Sequence, residues 1–257
     1  MDILFRFTYL ALCILLAACG TTQRLPADAA GPSKRIGVVS QVGDSLNKQF
    51  IGVTVFGNTR DLQDISTWKL DALYEEQLAD AVKTAFKAET VLLSDVRAEF
   101  AGVNSLTGPW SAPAFWGPNF EVIADITKRI CQAKGLDAIL VVAKWTSQDF
   151  LGGTNQVLEG VGIHSRRGIA TAHVLAKLGY MDCRSGKAMA ESRLLKAAAP
   201  TGGAFSKRAV AAPIDAEFGA NPYTTWTRAD KARIWEVFGS LPSTAWLPTL
   251  QEMLPTP

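Results

Sequence analysis

The sequence predicts an α/β protein, built as a mixed sheet with two main packed amphipathic helices and an added helical segment at the carboxy-terminal end. Residues 70–86 place apolar side chains at three- and four-residue steps, as a helix with one buried face does. Residues 121–133 repeat this pattern and lead through Gly135 into an apolar run, residues 136–145, typical of a central strand covered on both faces. Residues 169–182 alternate apolar and polar side chains, which indicates a half-buried strand.

Two strands are predicted before the first helix. Residues 36–42 and 50–56 are rich in β-branched side chains and are bounded by turn residues. The polar segment between them, residues 43–47, predicts that the two strands form a hairpin.

The first helix is expected to have a solvent-facing side that carries its charges. Ser66 is the predicted N-cap, because a hydroxyl oxygen accepts a hydrogen bond from the first turn. The charged side chains predicted to face solvent are Asp71, Glu75, Glu76, Asp80, Lys83 and Lys87.

The second helix, residues 121–133, is predicted to turn four apolar side chains inward. These are Val122, Ile123, Ile126 and Ile130. Downstream, the glycine-rich residues 148–167 predict a strand or hairpin arm, and residues 188–195 are expected to return as the partner of residues 169–182.

The helical segment at the carboxy-terminal end spans residues 227–254. Thr227 and Asp230 match a capping box with aspartate in place of glutamate. Pro248 is expected to interrupt the last helical piece, because proline is unfavourable inside a helix.

The amino-terminal stretch Leu16-Ala17-Ala18-Cys19 follows a short apolar run and precedes a polar segment. It resembles the lipobox of bacterial lipoproteins. The apolar run is too short for a transmembrane helix, which needs about 20 residues, and Leu16 is not the small residue that an ordinary signal peptidase prefers. The resemblance implies that the chain is cut after Ala18 and that Cys19 carries lipid.

This resemblance divides the chain into three parts. Residues 1–18 form a signal peptide and residues 19–34 a lipidated tether, which contains Gly and Pro and has no hydrophobic period. Residues 35–257 form a single α/β domain, with residues 227–254 as a helical appendage. The net charge of +2 is too small to favour nucleic acid as a partner.

Cysteine usage leaves two alternatives for the body of the protein. Cys13 is removed with the signal peptide and Cys19 is lipidated, which leaves Cys131 and Cys183 in a compartment that permits disulfides. These two cysteines form either a disulfide or a pair of buried thiols. Their spacing resembles no zinc site, and we expect no metal and no cofactor.

Residues 101–120 combine glycines and prolines with aromatic side chains, so they predict no long regular element. The aromatics either fold back on the core or are presented outward. In the second case Trp110, Phe115 and Trp116 are the candidates for a contact with a partner or membrane. The short basic spots at Lys207, Arg208 and residues 166–167 are interpreted as solvated faces.

The sequence contains no set of residues that predicts catalysis. It has two histidines, His164 and His173, and neither lies near a cluster of carboxylates or cysteines in the sequence. We expect both to be ordinary surface or hydrogen-bonded residues. There is no Gly-x-Ser-x-Gly nucleophile elbow and no phosphate-binding Gly-x-x-x-x-Gly-Lys loop.

Three passages resemble the α/β domain shared by the curli-export channel lipoprotein, the activator lipoproteins of peptidoglycan synthases and the amino-terminal domain of the Tol-system periplasmic protein. They are the helix at residues 70–86, the helix exit into a strand at residues 133–141, and the strand and turn at residues 180–187. In those families an aspartate–x–x–threonine–glycine turn closes a hairpin, and here Ser185 stands in place of the threonine.

Together these observations predict a non-enzymatic outer-membrane lipoprotein, facing the periplasm, that binds or supports an envelope protein or a cell-wall component. Gly20 follows the lipid cysteine, and in the enterobacterial sorting rule an aspartate there would retain the protein in the inner membrane. The alternatives are a subunit of a homo-oligomeric envelope assembly or export device, and a hydrolase acting on cell wall or lipid.

Overall fold

The computed structural model describes residues 23–29, 34–52, 55–107, 117–197 and 208–255. It confirms the predicted fold class, because helices pack on a large mixed sheet. The strands are β1 (Arg35–Gln41), β2 (Ser45–Ile51), β3 (Thr59–Asp64), β4 (Glu89–Leu92), β5 (Ala138–Lys144), β6 (Thr146–Gln148), β7 (Val157–Arg166), β8 (Ile169–Asp182), β9 (Ala188–Arg193) and β10 (Ala211–Ile214).

Five α-helices lie in the described part of the chain, together with short 3-10 turns. The helices are α1 (Leu70–Phe86), α2 (Ala124–Lys134), α3 (Ala216–Ala220), α4 (Arg228–Ser240) and α5 (Trp246–Met253). Among these residues, no helix is both long enough and apolar enough to cross a bilayer.

The main path of the sheet has the order β3-β2-β7-β8-β5-β1-β4. β1 runs parallel to β4 and β5, and β2 runs parallel to β7, whereas the other pairings are antiparallel. The long strand β8 connects the two halves of the sheet, since its first half pairs with β7 and β10 and its second half with β5 and β9.

Strand β5 lies between two hydrophobic clusters, as the sequence predicts. Leu140 and Val142 face the larger cluster, which α1, α4 and α5 cover, whereas Ile139 and Val141 face the cluster beneath α2. Because both faces are covered, the strand can be apolar at nearly every position.

Helix α1 has the predicted bounds but not the predicted surface. Ser66 begins a 3-10 turn, and the N-cap is Lys69, whose φ is 55°. Asp71 and Glu75 are buried, so their predicted exposure is wrong, whereas Glu76 is exposed. The two carboxylates are buried because they accept hydrogen bonds from the end of β1 and from the segment after β4.

The predicted hairpin between residues 36–42 and 50–56 is also wrong. The second strand is β2 (Ser45–Ile51), and it pairs with β3 and β7 rather than with β1. Asp71 redirects the chain, because one of its carboxylate oxygens accepts hydrogen bonds from the backbone N–H groups of Val42 and Gly43, each at 2.8 Å.

The carboxy-terminal helices pack into the main core. Tyr74 of α1 donates to the carbonyl of Phe238 at 3.0 Å, and the indole of Trp246 donates to Gln77 at 3.0 Å. The capping box at Thr227 is confirmed. Pro248 does not interrupt α5, because it lies in the first turn, where the backbone N–H has no helical partner.

Two further predictions about helices and hairpins have different outcomes. Val122 is 49% exposed, so its predicted inward orientation is wrong, and Ile123 is fully buried. Strands β8 and β9 form the predicted hairpin.

Part of the predicted tether packs against the body of the protein. Gln23 forms a bridge with Glu191 of β9, and the N–H of Leu25 donates to the carbonyl of Met253 at 2.8 Å. Leu25 is 2% exposed and belongs to the main core, and the carbonyl of Ala29 accepts a hydrogen bond from Tyr180. Residues 23–29 are therefore fixed to the body of the protein.

Candidate functional site

A cleft of about 810 Å³ opens beside the fixed amino-terminal segment. It lies between the turn that precedes α2 and the hairpin of β8 and β9. We call it the anchor-side cleft. Its lining residues are Thr107, Pro118, Asn119, Phe120, Glu121, Ala124, Lys187, Ala188 and Glu191.

One wall of the anchor-side cleft is built on a close approach between Phe120 and Gly179. Asn119 starts the wall, because its side chain accepts a hydrogen bond from the N–H of Glu121 at 3.2 Å. The ring of Phe120 then lies on β8, where a Cβ at position 179 would be only 2.6 Å from the nearest ring atom. Glycine at this position lets the aromatic ring close over the strand.

The hairpin of β8 and β9 contributes Lys187, Ala188 and Glu191 to the lining, and the turn before them is fixed by hydrogen bonds. The carboxylate of Asp182 accepts hydrogen bonds from the N–H and hydroxyl of Ser185 at 2.8 and 2.7 Å. Burial alone would raise the pKa of Asp182, but these hydrogen bonds outweigh it and hold that pKa below its ordinary value. Gly186 has φ of 71°, and a Cβ there would be 2.3 Å from the Ala124 carbonyl, so the turn requires glycine.

Cys131 and Cys183 are joined by a disulfide, with their Cα atoms 5.6 Å apart. Cys131 belongs to α2 and Cys183 directly follows β8. The bond therefore ties α2 to the hairpin that forms the other wall of the anchor-side cleft.

The predicted contact residues Trp110, Phe115 and Trp116 lie outside the described residues, as do Ala18 and Cys19. The structure does place the two ends of the aromatic segment. Thr107 and Gly117 exchange backbone hydrogen bonds at 2.9 and 3.0 Å. Residues 107 and 117, which flank the aromatic segment, therefore lie side by side, and Thr107 also lines the anchor-side cleft.

The charged side chains that line the cleft are Glu121, Lys187 and Glu191, and Glu191 also pairs with Lys177. No histidine or cysteine lines it. In the part of the chain that the structure describes, no group of three or more His, Cys, Asp or Glu residues could hold a metal ion. The arrangement can hold another molecule through polar contacts, because the ring of Phe120 is only 4% exposed.

Both histidines lie away from the cleft, in the sheet. His164 is 3% exposed and its Nε2 lies 3.2 Å from the carboxylate of Asp149. The same carboxylate accepts hydrogen bonds from Gly152 and Thr154, each at 2.6 Å. Burial would raise the pKa of Asp149, but the hydrogen bonds from His164, Thr154 and Gly152 prevail and lower it.

His173 differs from the prediction of a surface or hydrogen-bonded residue. It is 1% exposed, and neither ring nitrogen satisfies hydrogen-bond geometry within the described chain. Its ring lies against Gly162, where a Cβ would be 2.5 Å from Nε2. The pKa of His173 is lowered to about 3, mainly because burial desolvates the ring and also because His164 lies nearby, whereas Asp149 and the Glu159 backbone oppose this shift only in part.

The predicted basic spots differ in their surroundings. Arg208 pairs with Glu252, and Arg166 donates to the carbonyl of Gly152. Arg167 is exposed at the turn between β7 and β8, and Lys207 lies outside the described residues.

Sequence reasoning missed a buried polar cluster at the end of β1. Glu75 is fully buried and accepts two hydrogen bonds from Arg97, at 2.8 and 2.6 Å, and one from the N–H of Ser40 at 3.1 Å. Asp71 accepts the hydroxyl of Ser40 at 2.6 Å. Burial raises the pKa of Asp71, against the hydrogen bonds from Ser40, Gly43 and Val42.

Comparisons with known proteins find no matching family model and no matching curated protein. Among solved structures, the PelC dodecamer from Paraburkholderia phytofirmans is 6% identical at a TM-score of 0.37, covering 92% of this chain and 96% of that one. Lipoprotein GNA1162 from Neisseria meningitidis is 13% identical at 0.32, covering 62% and 79%. The LpoB C-terminal domain from Salmonella enterica is 11% identical at 0.26, covering 65% and 84%. These similarities are too distant to support a function.

Proposed function

We propose that this chain is a lipid-anchored, non-enzymatic protein of the bacterial outer membrane that faces the periplasm and binds or supports another envelope component. The peptide bond between Ala18 and Cys19 is cut, and Cys19 carries the lipid. The proposal is carried by the position of the lipobox, residues 16–19, directly before a docked segment. Residues 23–29 pack on the body, and this segment begins four positions after Cys19.

This docking sets the distance between the body and the bilayer. From Cys19 to Gln23 the chain advances by four residues, which span at most about 14 Å when fully extended. The anchored protein is therefore held against the membrane surface by its anchor-side cleft, because Glu191 in the wall of that cleft bridges to Gln23.

Two further observations support a contact function in the envelope. A disulfide between Cys131 and Cys183 fits an oxidising compartment. Both histidines, on which a histidine-based hydrolase mechanism would depend, are buried, 3% and 1% exposed, and neither lines the anchor-side cleft. General acid–base catalysis requires the catalytic group to reach the substrate.

The anchor is tested by labelling cells with radioactive palmitate. We expect label in the native chain and in Cys13→Ser, a matched control within the signal peptide, and none in Cys19→Ser. The first residue of the mature chain, read by mass spectrometry, should be a modified Cys19. In an enterobacterial host Gly20→Asp should move the labelled protein from the outer to the inner membrane. Label that persists in Cys19→Ser contradicts the proposal.

The contact surface is the aromatic segment with Trp110, Phe115 and Trp116, together with the anchor-side cleft. Its support is the paired Thr107 and Gly117, which bring both ends of the segment to the cleft.

A photo-crosslinking side chain placed at position 110 or 116 in intact cells is expected to capture one envelope component reproducibly. The same group at Ile169, which is 66% exposed at the turn between β7 and β8, serves as the control and should capture none. Capture from position 169 alone would move the contact surface to the other end of β8.

A further inference from the structure

Strand β3 forms one edge of the main path of the sheet, and within the described residues it pairs only with β2. Its sequence is Thr-Arg-Asp-Leu-Gln-Asp. Arg60, Leu62 and Asp64 alternate with less exposed residues, so they share the more exposed face of the strand. Leu62 is 64% exposed, with a cationic side chain on one side and an anionic one on the other.

This order of side chains is self-complementary. In an antiparallel pair of two β3 strands centred on Leu62, Leu62 lies opposite the partner's Leu62. Arg60 lies opposite the partner's Asp64, and Asp64 opposite the partner's Arg60. Side chains directly opposite in antiparallel strands are about 5 Å apart at Cβ and interact. We propose that two copies of this chain associate through β3 in this register, about a twofold axis.

The register is selective. A shift by one residue in one direction sets Asp61 opposite the partner's Asp64, which places like charges together. A shift in the other direction sets Arg60 opposite the partner's Gln63 and loses both ion pairs. In the proposed register Asp61 lies opposite the partner's Gln63, which is uncharged. Charged edge strands ordinarily discourage pairing, and only this arrangement turns both charges of the exposed face into attractions.

The large apolar side chains beside β3 fit the same pairing. Phe56, just before the strand, is 96% exposed. Antiparallel pairing brings the start of one strand to the end of the other, so each Phe56 lies toward the end of the partner's β3. The pairing therefore covers Leu62 and places the exposed Phe56 beside the partner strand.

The contacts that Arg60 and Asp64 already make within the chain leave both side chains able to pair with a second copy. Arg60 pairs with Glu159 at 2.7 Å, yet its side chain remains 50% exposed. Asp64 accepts the N–H of Ser66 through Oδ1 at 2.8 Å and remains exposed to solvent. The backbone and side-chain hydrogen bonds of Ser66 also lower the pKa of Asp64, so the carboxylate stays charged at neutral pH.

The contact is small, because six residues span about 20 Å of strand edge. We therefore expect a reversible dimer whose population rises with concentration. Two chains anchored in one membrane would dimerise more fully, since their effective concentration is higher. The pairing itself does not depend on the lipid anchor, so a failure of one proposal leaves the other standing.

A cysteine at the symmetry centre tests the geometry. Mature Leu62→Cys chain, purified in detergent and oxidised, is expected to form a disulfide-linked dimer, because each new thiol lies opposite its own copy. Ile169→Cys, at an exposed position three strands from β3 in the sheet, is the matched control and should remain monomeric. Equal cross-linking of both variants, or none at position 62, overturns the proposal.

Charge reversal tests the register. In sedimentation over a concentration series, Arg60→Asp or Asp64→Arg alone should raise the dimer dissociation constant about tenfold or more, because each reversal creates two like-charge pairs. The double variant restores opposite charges and should recover most of the dimer. Circular dichroism confirms folding of each variant. A native chain that is monomeric throughout, or single reversals without effect, overturns the proposal, as does a folded double variant that remains dissociated.

Discussion

Replacing Glu75 by alanine is expected to destabilise the protein by about 3–5 kcal/mol, because removal of one partner leaves the other charge of a buried ion pair uncompensated. The guanidinium of Arg97, whose side chain is 25% exposed, loses both hydrogen bonds to the Glu75 carboxylate. The buried N–H of Ser40 loses its acceptor as well. In a chain of this size the loss corresponds to a fall in Tm of about 6–20 °C, measured by thermal unfolding.

Glu76→Ala is the matched control for this experiment. Glu76 is the next residue of the same helix and is exposed, so its removal should change stability by no more than about 0.5 kcal/mol. Glu75→Gln should fall between the two variants, because the amide keeps the shape and part of the hydrogen bonding but loses the charge. Equal stabilities of the Glu75→Ala and Glu76→Ala variants would contradict the structural role of the cluster.

The same cluster shows where sequence reasoning succeeded and failed. Periodicity located α1 with the correct bounds, because apolar stripes are a property of neighbouring residues. It assigned Asp71 and Glu75 to solvent because of their chemical type. Their spacing, however, places them on the same stripe as Leu78 and Val82, at steps of four, three and four residues. The presence of carboxylates within an apolar stripe was the signal in the sequence that could have indicated their burial.

The partners of those carboxylates could not be read from the sequence. Ser40 precedes Asp71 by 31 residues and Arg97 follows Glu75 by 22. No local pattern relates positions that meet only when the sheet forms. The same reason explains the wrong hairpin, since the turn after β1 is set by hydrogen bonds to a helix that comes later in the chain. Edge strand β3 was missed because its residues are mostly polar.

Among the candidate site residues, sequence motifs and structure contribute different parts. The lipobox is a pattern of neighbouring residues, so residues 16–19 predict a lipid anchor without any knowledge of the fold. The anchor-side cleft depends on Gly179 and Gly186, whose close approaches to Phe120 and Ala124 arise from packing between distant segments. A glycine in a sequence does not reveal which side chain or carbonyl lies against it. The cleft was therefore not predictable, whereas the aromatic segment beside it was.

His173 gives a second large expected effect, on the pH dependence of stability. Its pKa is about 3 in the folded protein, against an ordinary value of 6.5, because the ring is completely desolvated. Above pH 6.5 the ring is neutral in both states and has no effect. As the pH falls below 6.5, the unfolded chain binds a proton that the folded chain does not. The free energy of unfolding should then fall by about 1.4 kcal/mol per pH unit, down to about pH 3.

Denaturant unfolding at pH 7, 6 and 5 measures this slope. His173→Leu removes the titrating ring and is expected to lose most of the decline between pH 6.5 and 5. His164→Gln is the matched control, since it removes the other histidine but leaves His173 buried, and it should keep the decline. The nearby carboxylate of Asp149 has a lowered pKa and therefore stays ionised across this range. A native-like decline in His173→Leu would show that the acid sensitivity arises from another group.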